Sequence, residues 1–288
     1  NYPGITVERK SAEVTINKTS LIFEDYPGTY SILPQSLDEE IVTNSIYNWI
    51  REPDKKPDAI IYVAEYNNIR RNLYLFSQIL ELNSPSILLL NMNDIVIEEN
   101  KIDYIKLKEE LNIDNVILFS ATTKEGLKEL SSQVIKTVEN TEQRIHAMMS
   151  IPDNIIDIIN PLNAVSKNIF NQKGKLIDSI SFRLLCNKTH VDNILLNEQD
   201  KNDLTESIDS IQLSIDNEFR PMLKTMEADL RYGWIDTLLL KCSFKKIRVI
   251  ERITKSEKID RVLTHPFVGP IIYVSILYFI FQSIFTFA

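Results

Sequence analysis

The sequence predicts an α/β protein with a doubly wound, mostly parallel sheet, followed by a region that is entirely helical. Three observations support this fold class. Continuous apolar runs at 59–64, 86–90 and 115–119 are typical of strands that are buried on both faces of a sheet. Helical periodicity separates these runs, which is the alternation expected of β-α-β units. After about residue 144 no strand-like run remains, and apolar residues recur at helical spacing.

The first elements of the predicted sheet form an antiparallel pair. Apolar and polar residues tend to alternate over 8–17, and a short apolar stretch at 20–24 follows a turn at Asn17-Lys18. A helix is predicted from about 38 to 49. The other helices of this half are predicted at about 68–82, 104–111 and 124–141.

The second half shows no internal repeat and no recognisable nucleophile–base pattern. Helices are predicted at 155–170, 176–185, 208–215 and 221–240. Four aspartates of this half are expected at helix caps or on solvated faces, namely Asp153, Asp157, Asp178 and Asp192.

Composition limits the classes of function. The 288-residue chain is long enough for two domains. Its net charge of -8 argues against nucleic acid as a partner, because phosphate binding needs a basic face. Two cysteines, Cys186 and Cys242, provide neither a disulfide framework nor a CxxC metal site, which fits a reducing compartment. Three scattered histidines show no metal-ligand spacing.

The C-terminal stretch differs from the rest of the chain. No charged residue occurs from 267 to 288, and this length suffices to cross a hydrocarbon core of about 30 Å. A buried core helix would normally carry a polar stripe, so a transmembrane helix is predicted over 266–288. Because this helix ends with the sequence, we expect a fragment of a longer membrane protein.

Basic residues are dense in the segment 241–265 before this helix. The positive-inside rule then predicts that residues 1–265 are cytoplasmic and that the protein resides in the cell membrane. Glu251, Glu257 and Asp260 dilute the basic patch, so a solvated helix face and contact with anionic headgroups are both compatible with it.

Polar side chains follow the predicted strands at their carboxyl ends, where doubly wound sheets bind ligands. Asp25 and Gly28 follow the strand at 20–24; taken alone they fit an ordinary Pro-Gly turn. Asn91 and Asp94 follow the strand at 86–90, and a carboxylate there matches the paired N1 and N2 donors of guanine, which adenine lacks. Asx-turn chemistry is the alternative interpretation.

The next strand is followed by Ser120-Ala121, whose backbone N–H groups would lie near guanine O6. In order, Thr6, Asp25-x-x-Gly28, Asn91-x-x-Asp94 and Ser120-Ala121 resemble the G2 to G5 motifs of P-loop GTPases. The segments 1–8, 25–32, 71–75, 231–235 and 258–265 extend the resemblance to the ferrous iron transport protein B family, over essentially the whole chain.

This resemblance implies a G domain over 1–142, a helical regulatory domain over 143–240, a basic juxtamembrane segment and a first membrane span. It implies GTP and Mg²⁺ as ligands: Thr6 and Asp25 would hold Mg²⁺, and Gly28 would bind the γ-phosphate. Asn91, Asp94, Ser120 and Ala121 would form the guanine pocket. The full-length protein would transport Fe²⁺ across a lipid bilayer, with GTP hydrolysis to GDP regulating or driving uptake; homo-oligomerisation is left open.

The sequence departs from the motif set in three ways. No GxxxxGK[ST] loop is present; we expect it upstream of Asn1 and expect the given sequence to be inactive without it. Met92 replaces a lysine that is common in this motif, and Thr29 stands where many small GTPases place a glutamine. No catalytic residue is assigned. Two alternatives are a non-catalytic, membrane-tethered G-domain-like module and a membrane-tethered GTPase unrelated to metal.

Overall fold

The structure is a computed structural model of the chain, and it describes residues 10–96, 101–140 and 145–243, together with three helical positions at 270, 278 and 282. The chain divides into two compact units, Asn1–Lys245 and Lys246–Ala288. All strands and all helices with stated bounds belong to the first unit.

Two separate sheets are formed. Strands β1 (Lys10–Ile16) and β2 (Thr19–Asp25) make an antiparallel hairpin, in which Lys10 is opposite Asp25. Strands β3 (Ile60–Glu65), β4 (Ser86–Asn91) and β5 (Asn115–Leu118) make a parallel sheet in that order. The predicted hairpin and the parallel arrangement of the three apolar strands are therefore confirmed, but among the described residues the hairpin does not pair with the parallel sheet as expected.

Helices connect and follow these strands. Helix α1 lies between the two sheets in sequence, and helices α2 and α3 are the crossovers of the parallel sheet. The bounds are α1 Leu37–Arg51, α2 Ile69–Leu80, α3 Tyr104–Leu111, α4 Leu127–Glu139, α5 Asp153–Phe170, α6 Lys175–Cys186, α7 His190–Asn193, α8 Glu198–Ser214 and α9 Arg220–Cys242.

Apolar side chains cover both faces of the parallel sheet, as the doubly wound prediction requires. One face packs against α2, α3 and the end of α9, with Leu88 and Leu90 at its centre. The other face, through Ile87, Leu89 and Ile117, packs against α4 and the apolar side chains of β2. Each face removes a continuous apolar surface from water, which is the main favourable term in such a fold.

A third cluster joins the helices of the second half to those of the first. It contains buried residues of α1, α2, α5, α6 and α8. Because α2 contributes to this cluster and to one face of the sheet, it lies between the sheet and the helical half. The predicted boundary near residue 142 remains a prediction.

Strand β3 departs from the sequence expectation that it is buried on both faces. Val63 is 55% exposed, although Ala64 is fully buried. In the part of the chain that the structure describes, β4 is the neighbour of β3 on one side and no strand pairs with its other edge. An edge strand has a neighbouring strand on one side only, so fewer atoms cover its side chains. This accounts for the exposure of Val63.

The polar helix α8 is longer than predicted. The expected range of 208–215 covers its apolar end, whereas the helix begins at Glu198. Asn197 caps it by accepting a hydrogen bond from the backbone N–H of Asp200 at 2.8 Å. A capping side chain satisfies an N–H that has no partner within the helix. The short helix α7 was not expected.

The predicted membrane span at 266–288 lies outside the described residues, apart from Pro270, Tyr278 and Gln282. Within the described ranges, no helix combines the length and the apolar character needed to cross a membrane.

Candidate functional site

The ends of β4 and β5 are joined by a side chain. The Ala121 backbone N–H donates to Asn91 Oδ1 at 3.2 Å, so the amide of Asn91 fixes the loop that follows β5. The backbone N–H of Asn93 in turn donates to the Phe119 carbonyl at 3.1 Å. The two strand-end loops therefore form one surface.

The loop after Asn91 turns sharply at Met92. This residue has a φ of 64°, a left-handed conformation that a side chain other than glycine adopts at a cost. A short 3-10 turn, Asn93–Ile95, follows. The turn is held from outside because Asn67 Nδ2 donates to the Ile95 carbonyl at 3.2 Å. Its Asp94 side chain is left exposed at the sheet edge.

The loop after β5 is closed by its own hydrogen bonds. Ser120 is fully buried; its Oγ accepts from the Thr123 N–H at 3.1 Å, and its own N–H donates to the Glu125 carbonyl at 3.2 Å. Its neighbour Ala121 is exposed. Ser120 therefore shapes the loop from within, whereas Ala121 lies on its surface. The backbone N–H groups of both residues, which were expected near guanine O6, have partners within the protein in this structure, because that of Ser120 donates to Glu125 and that of Ala121 to Asn91.

Gly126 completes this loop, and its role was not anticipated from the sequence. Its φ is +79°, and a Cβ at this position would lie 2.2 Å from the Leu118 carbonyl oxygen. Only glycine fits such a position without displacing the strand end. A glycine directly before a helical pattern was the available sequence indication.

The other predicted segment begins at Asp25, the last residue of β2. Both Asp25 and Gly28 are exposed, and a Cβ added to Gly28 would meet no atom within 4 Å. The loop is packed by aromatic contacts on either side of Gly28. Tyr26 meets Trp49 edge-on with ring centroids 5.6 Å apart, and Arg71 lies 3.6 Å from the ring centroid of Tyr30.

The structure unites some of the predicted site residues but not all. Asn91 and Ala121 are hydrogen-bonded, and Asp94 and Ser120 lie in the same pair of loops. No described hydrogen bond links Asp25 to these loops. Thr6 lies outside the described residues.

Asp25 is the predicted magnesium ligand that lies within the described residues. Asp25 offers a carboxylate at a strand end, which is the type of oxygen ligand that Mg²⁺ takes together with substrate phosphates. Over the described ranges, His, Cys, Asp and Glu side chains do not come together in threes as a metal site would need. Asp25 therefore fits a Mg²⁺ ion that phosphate groups also hold, and it does not form a metal cage by itself.

A buried cluster of four charged side chains lies behind the loop that starts at Asp25, and sequence reasoning missed it. Each member is at most 3% exposed, and the cluster consists of Glu81, Arg183, Glu227 and Arg231. Glu81 accepts from Arg183 and from Arg231, each at 2.7 Å. Arg231 also lies 2.7 Å from Glu227. The available indication was an arginine on the otherwise apolar stripe of a helix.

Charges of the cluster stabilise one another. Burial by itself raises the pKa of Glu227, but Arg231 and Arg183 outweigh it and lower this pKa to about 2. Burial also lowers the pKa of Arg183, and this effect is exceeded by Glu81, Tyr47 and Glu227, which raise it. Glu227 and Arg183 are therefore both ionised at neutral pH.

The cluster extends to a histidine through Tyr47. His190 Nε2 lies 3.1 Å from the Tyr47 hydroxyl. Burial and the nearby Arg183 lower the pKa of His190 to about 3. The ring is therefore neutral under physiological conditions.

Comparison with known proteins shows which family this chain resembles. The family model described as "Ferrous iron transport protein B" matches residues 1–134. The "Fe(2+) transporter FeoB" of Staphylococcus aureus (strain MSSA476) is 28% identical over 288 residues, which is 99% of this chain. The chain spans 41% of the length of that relative.

Solved structures are similar to the described fold. The cytosolic domain of L. pneumophila FeoB has a TM-score of 0.63 and 26% identity, covering 85% of this chain and 89% of that chain. A point mutant of S. thermophilus NFeoB bound to mGDP has a TM-score of 0.62 and 25% identity, covering 84% of this chain and 88% of that chain.

Proposed function

Because the chain belongs to the ferrous iron transport protein B family, we propose that it is the guanine-nucleotide-binding, regulatory part of a ferrous iron transporter. The observation that carries the proposal is the hydrogen bond from the Ala121 N–H to Asn91. It brings two of the four residues expected to contact guanine into one fixed surface.

Guanine recognition follows from the chemistry of this surface. Asp94 presents two acceptor oxygens, which match the N1–H and N2 amino donors of guanine. Asn91 uses its Oδ1 to hold Ala121, and in this proposal its Nδ2 donates to the base. In this proposal the exposed loop at Ala121 lies beside the O6 edge of the base.

Phosphate binding would use the other predicted residues. In this proposal Asp25 and Thr6 hold Mg²⁺, and the N–H of Gly28 contacts the γ-phosphate. Mg²⁺ supplies charge neutralisation at the phosphates when it is bound. The loop from Asp25 to Ile32 would be ordered with GTP and released after hydrolysis, which is the behaviour of such switches.

A phosphate-binding loop would complete the site. We propose that a strand carrying a GxxxxGK[ST] loop in the complete protein pairs with the edge of β3 that no described strand occupies. The exposed Val63 supports this proposal, because an apolar edge strand gains stability from a neighbour. Such a strand would place the loop between Asp25 at the end of β2 and Asn91 at the end of β4.

The complete protein is proposed to move Fe²⁺ across the cell membrane, with hydrolysis of GTP to GDP regulating or driving the movement. In that arrangement residues 1–265 are cytoplasmic, and the predicted helix at 266–288 contributes the first span. Fe²⁺ is the transported substrate and is not a resident cofactor of the described residues.

Base preference in the full-length protein tests the proposal. An Asp94→Asn substitution replaces an acceptor by a donor, which suits xanthine because its O2 accepts where guanine N2 donates. We expect GTP affinity to fall roughly ten- to 100-fold, as an unpaired polar group costs about 1–3 kcal/mol, and affinity for the xanthine nucleotide to rise. The exposed Glu109→Gln change on α3 is the control.

Equal loss of both nucleotides in the Asp94→Asn variant would contradict guanine recognition by this carboxylate. Phosphate release by the full-length protein separates a hydrolytic switch from a non-catalytic module. If the full-length protein bound GTP but released no phosphate, the result would support the non-catalytic module and contradict GTP hydrolysis.

A further inference from the structure

Gly28 lies in the connection between β2 and α1, and within it the loop from Asp25 to Ile32 has both backbone polar groups of its last residue, Ile32, bound. The Ile32 N–H donates to Gln78 Oε1 at 3.1 Å, and its carbonyl accepts from Thr43 Oγ1 at 3.1 Å. Gln78 lies on α2 and Thr43 lies on α1. Ile32 is 1% exposed, so water does not compete for either bond. The end of the loop is therefore fixed by two helices.

Gln78 and Thr43, the two side chains that anchor Ile32, differ in their further contacts. Gln78 Nε2 donates to Glu227 Oε1 on α9 at 3.4 Å, and the glutamine side chain is 2% exposed. A primary amide has one acceptor and one donor end, so a single orientation serves Ile32 and Glu227 at once. If the amide were flipped, its Nε2 would face the Ile32 N–H and its Oε1 would face the Glu227 carboxylate, so neither hydrogen bond could form.

Glu227 cannot move independently of the charge cluster. Its Oε1 accepts from Arg231 Nε at 2.8 Å, and its Oε2 accepts from the Tyr74 hydroxyl at 2.5 Å. Separation of a buried ion pair leaves a desolvated charge, which is strongly unfavourable. A shift of α9 would therefore carry Glu227 with it and alter its bond to Gln78.

We propose that Gln78 is a positioning residue that couples the loop ending at Ile32 to helix α9 through Glu227. A displacement of α9 changes the anchor of the loop, and a rearranged loop changes the environment of Glu227, because thermodynamic coupling is reciprocal. The coupling rests on the proposed function only where the loop is taken to sense nucleotide; the contacts themselves do not depend on it.

Amide hydrogen exchange on the full chain, measured without nucleotide, tests the coupling. The Gln78→Met variant removes both bonds of the amide at similar side-chain size. We expect exchange to accelerate roughly five- to tenfold at Ile32 and also in α9 around Glu227, as expected for loss of single buried hydrogen bonds.

Thr43→Val is the matched control, because it removes the other anchor of Ile32 and leaves α9 untouched. We expect faster exchange at the loop alone. Equal effects of Gln78→Met and Thr43→Val on α9 would overturn the proposal, because a purely local role predicts the same response to the loss of either anchor.

A second variant covers the case in which Gln78→Met does not fold. Gln78→Glu keeps an acceptor for Ile32 and replaces the donor to Glu227 by a carboxylate. We expect protection of α9 to fall more than protection of Ile32. Unchanged exchange in α9 would overturn the coupling, whereas failure of nucleotide binding in a separate assay would affect only the proposed function.

Discussion

Arg183 Nη2 lies 2.7 Å from Glu81 Oε2, and neither side chain is more than 3% exposed. This ion pair ties the helical half, through α6, to the end of α2, which packs on the sheet. Ion pairs at such depth have large penalties for the loss of one partner, even where the intact pair adds little net stability.

Glu81→Gln is therefore expected to destabilise the protein by about 3–5 kcal/mol, because two buried guanidinium groups lose their shared carboxylate. Urea unfolding followed by circular dichroism measures the change. The exposed pair of Lys55 and Glu52, which are 65% and 52% exposed, provides the control. Lys55→Ala should change stability by less than about 1 kcal/mol; similar losses in both variants would contradict the expectation.

His190 is expected to make stability depend on pH between about 6.5 and about 3. Burial and Arg183 lower the pKa of His190 in the folded state to about 3, so the unfolded chain binds more protons in this window. Stability then decreases as pH falls, with a slope of at most about 1.4 kcal/mol per pH unit. Unfolding free energies measured from pH 7 to 5 should show a flatter slope in the His190→Gln variant.

Glu227 contributes at lower pH and in the same direction. Its folded-state pKa is lowered to about 2 from an ordinary value of 4.5, so its stabilisation is present above pH 4.5 and is lost as pH falls toward 2. The range from pH 6.5 to 5 therefore lies above the pH at which Glu227 contributes. A slope there that the His190→Gln change does not alter would contradict the assignment.

Gly126→Ala is expected to destabilise the chain and to weaken guanine-nucleotide binding by the full-length protein. The added Cβ would meet the Leu118 carbonyl oxygen at 2.2 Å and would displace the loop that presents Ala121. Thermal unfolding and nucleotide titration measure the two effects.

The matched control is Gly233→Ala on α9, where an added Cβ meets no atom within 4 Å. Alanine is the better helix former by about 0.5–1 kcal/mol, so this variant should be more stable than the parent. A Gly126→Ala protein as stable as the parent would show that the strand end yields without cost.

Cys186 and Cys242 are expected to resist alkylation in the folded protein at pH 8. Burial raises the pKa of Cys186 to about 12 and that of Cys242 to about 11, and the thiolate is the reactive form. Mass spectrometry after brief iodoacetamide treatment should find both thiols unmodified, and both modified when urea is added. Rapid native labelling of either thiol would contradict its burial.

The parallel sheet was predictable because its strands are short apolar runs with helical spacing between them. Asn91 and Ala121 could be placed near each other for the same reason, since parallel neighbours end at one edge. The charge cluster could not be predicted, because helical periodicity does not reveal which helix meets which. Glu81 and Arg231 are 150 positions apart, and only packing brings them together.

The exposure of Val63 could not be predicted from the local sequence pattern either. An apolar run predicts a buried strand, but burial depends on a neighbour that the run does not encode. The same limit applies to Gln78, whose importance comes from the orientation of its amide between Ile32 and Glu227.

The edge of β3 that no described strand pairs with also has a consequence for the behaviour of the protein in solution. An apolar strand with one unpaired edge is a template for intermolecular pairing, and proteins usually protect such edges with charge or cover. Between Ile60 and Ala64 the strand has neither charge nor proline. The proposed strand that carries the GxxxxGK[ST] loop would therefore also protect the complete protein from self-association through this edge of β3, and its removal would favour oligomers as the protein concentration rises.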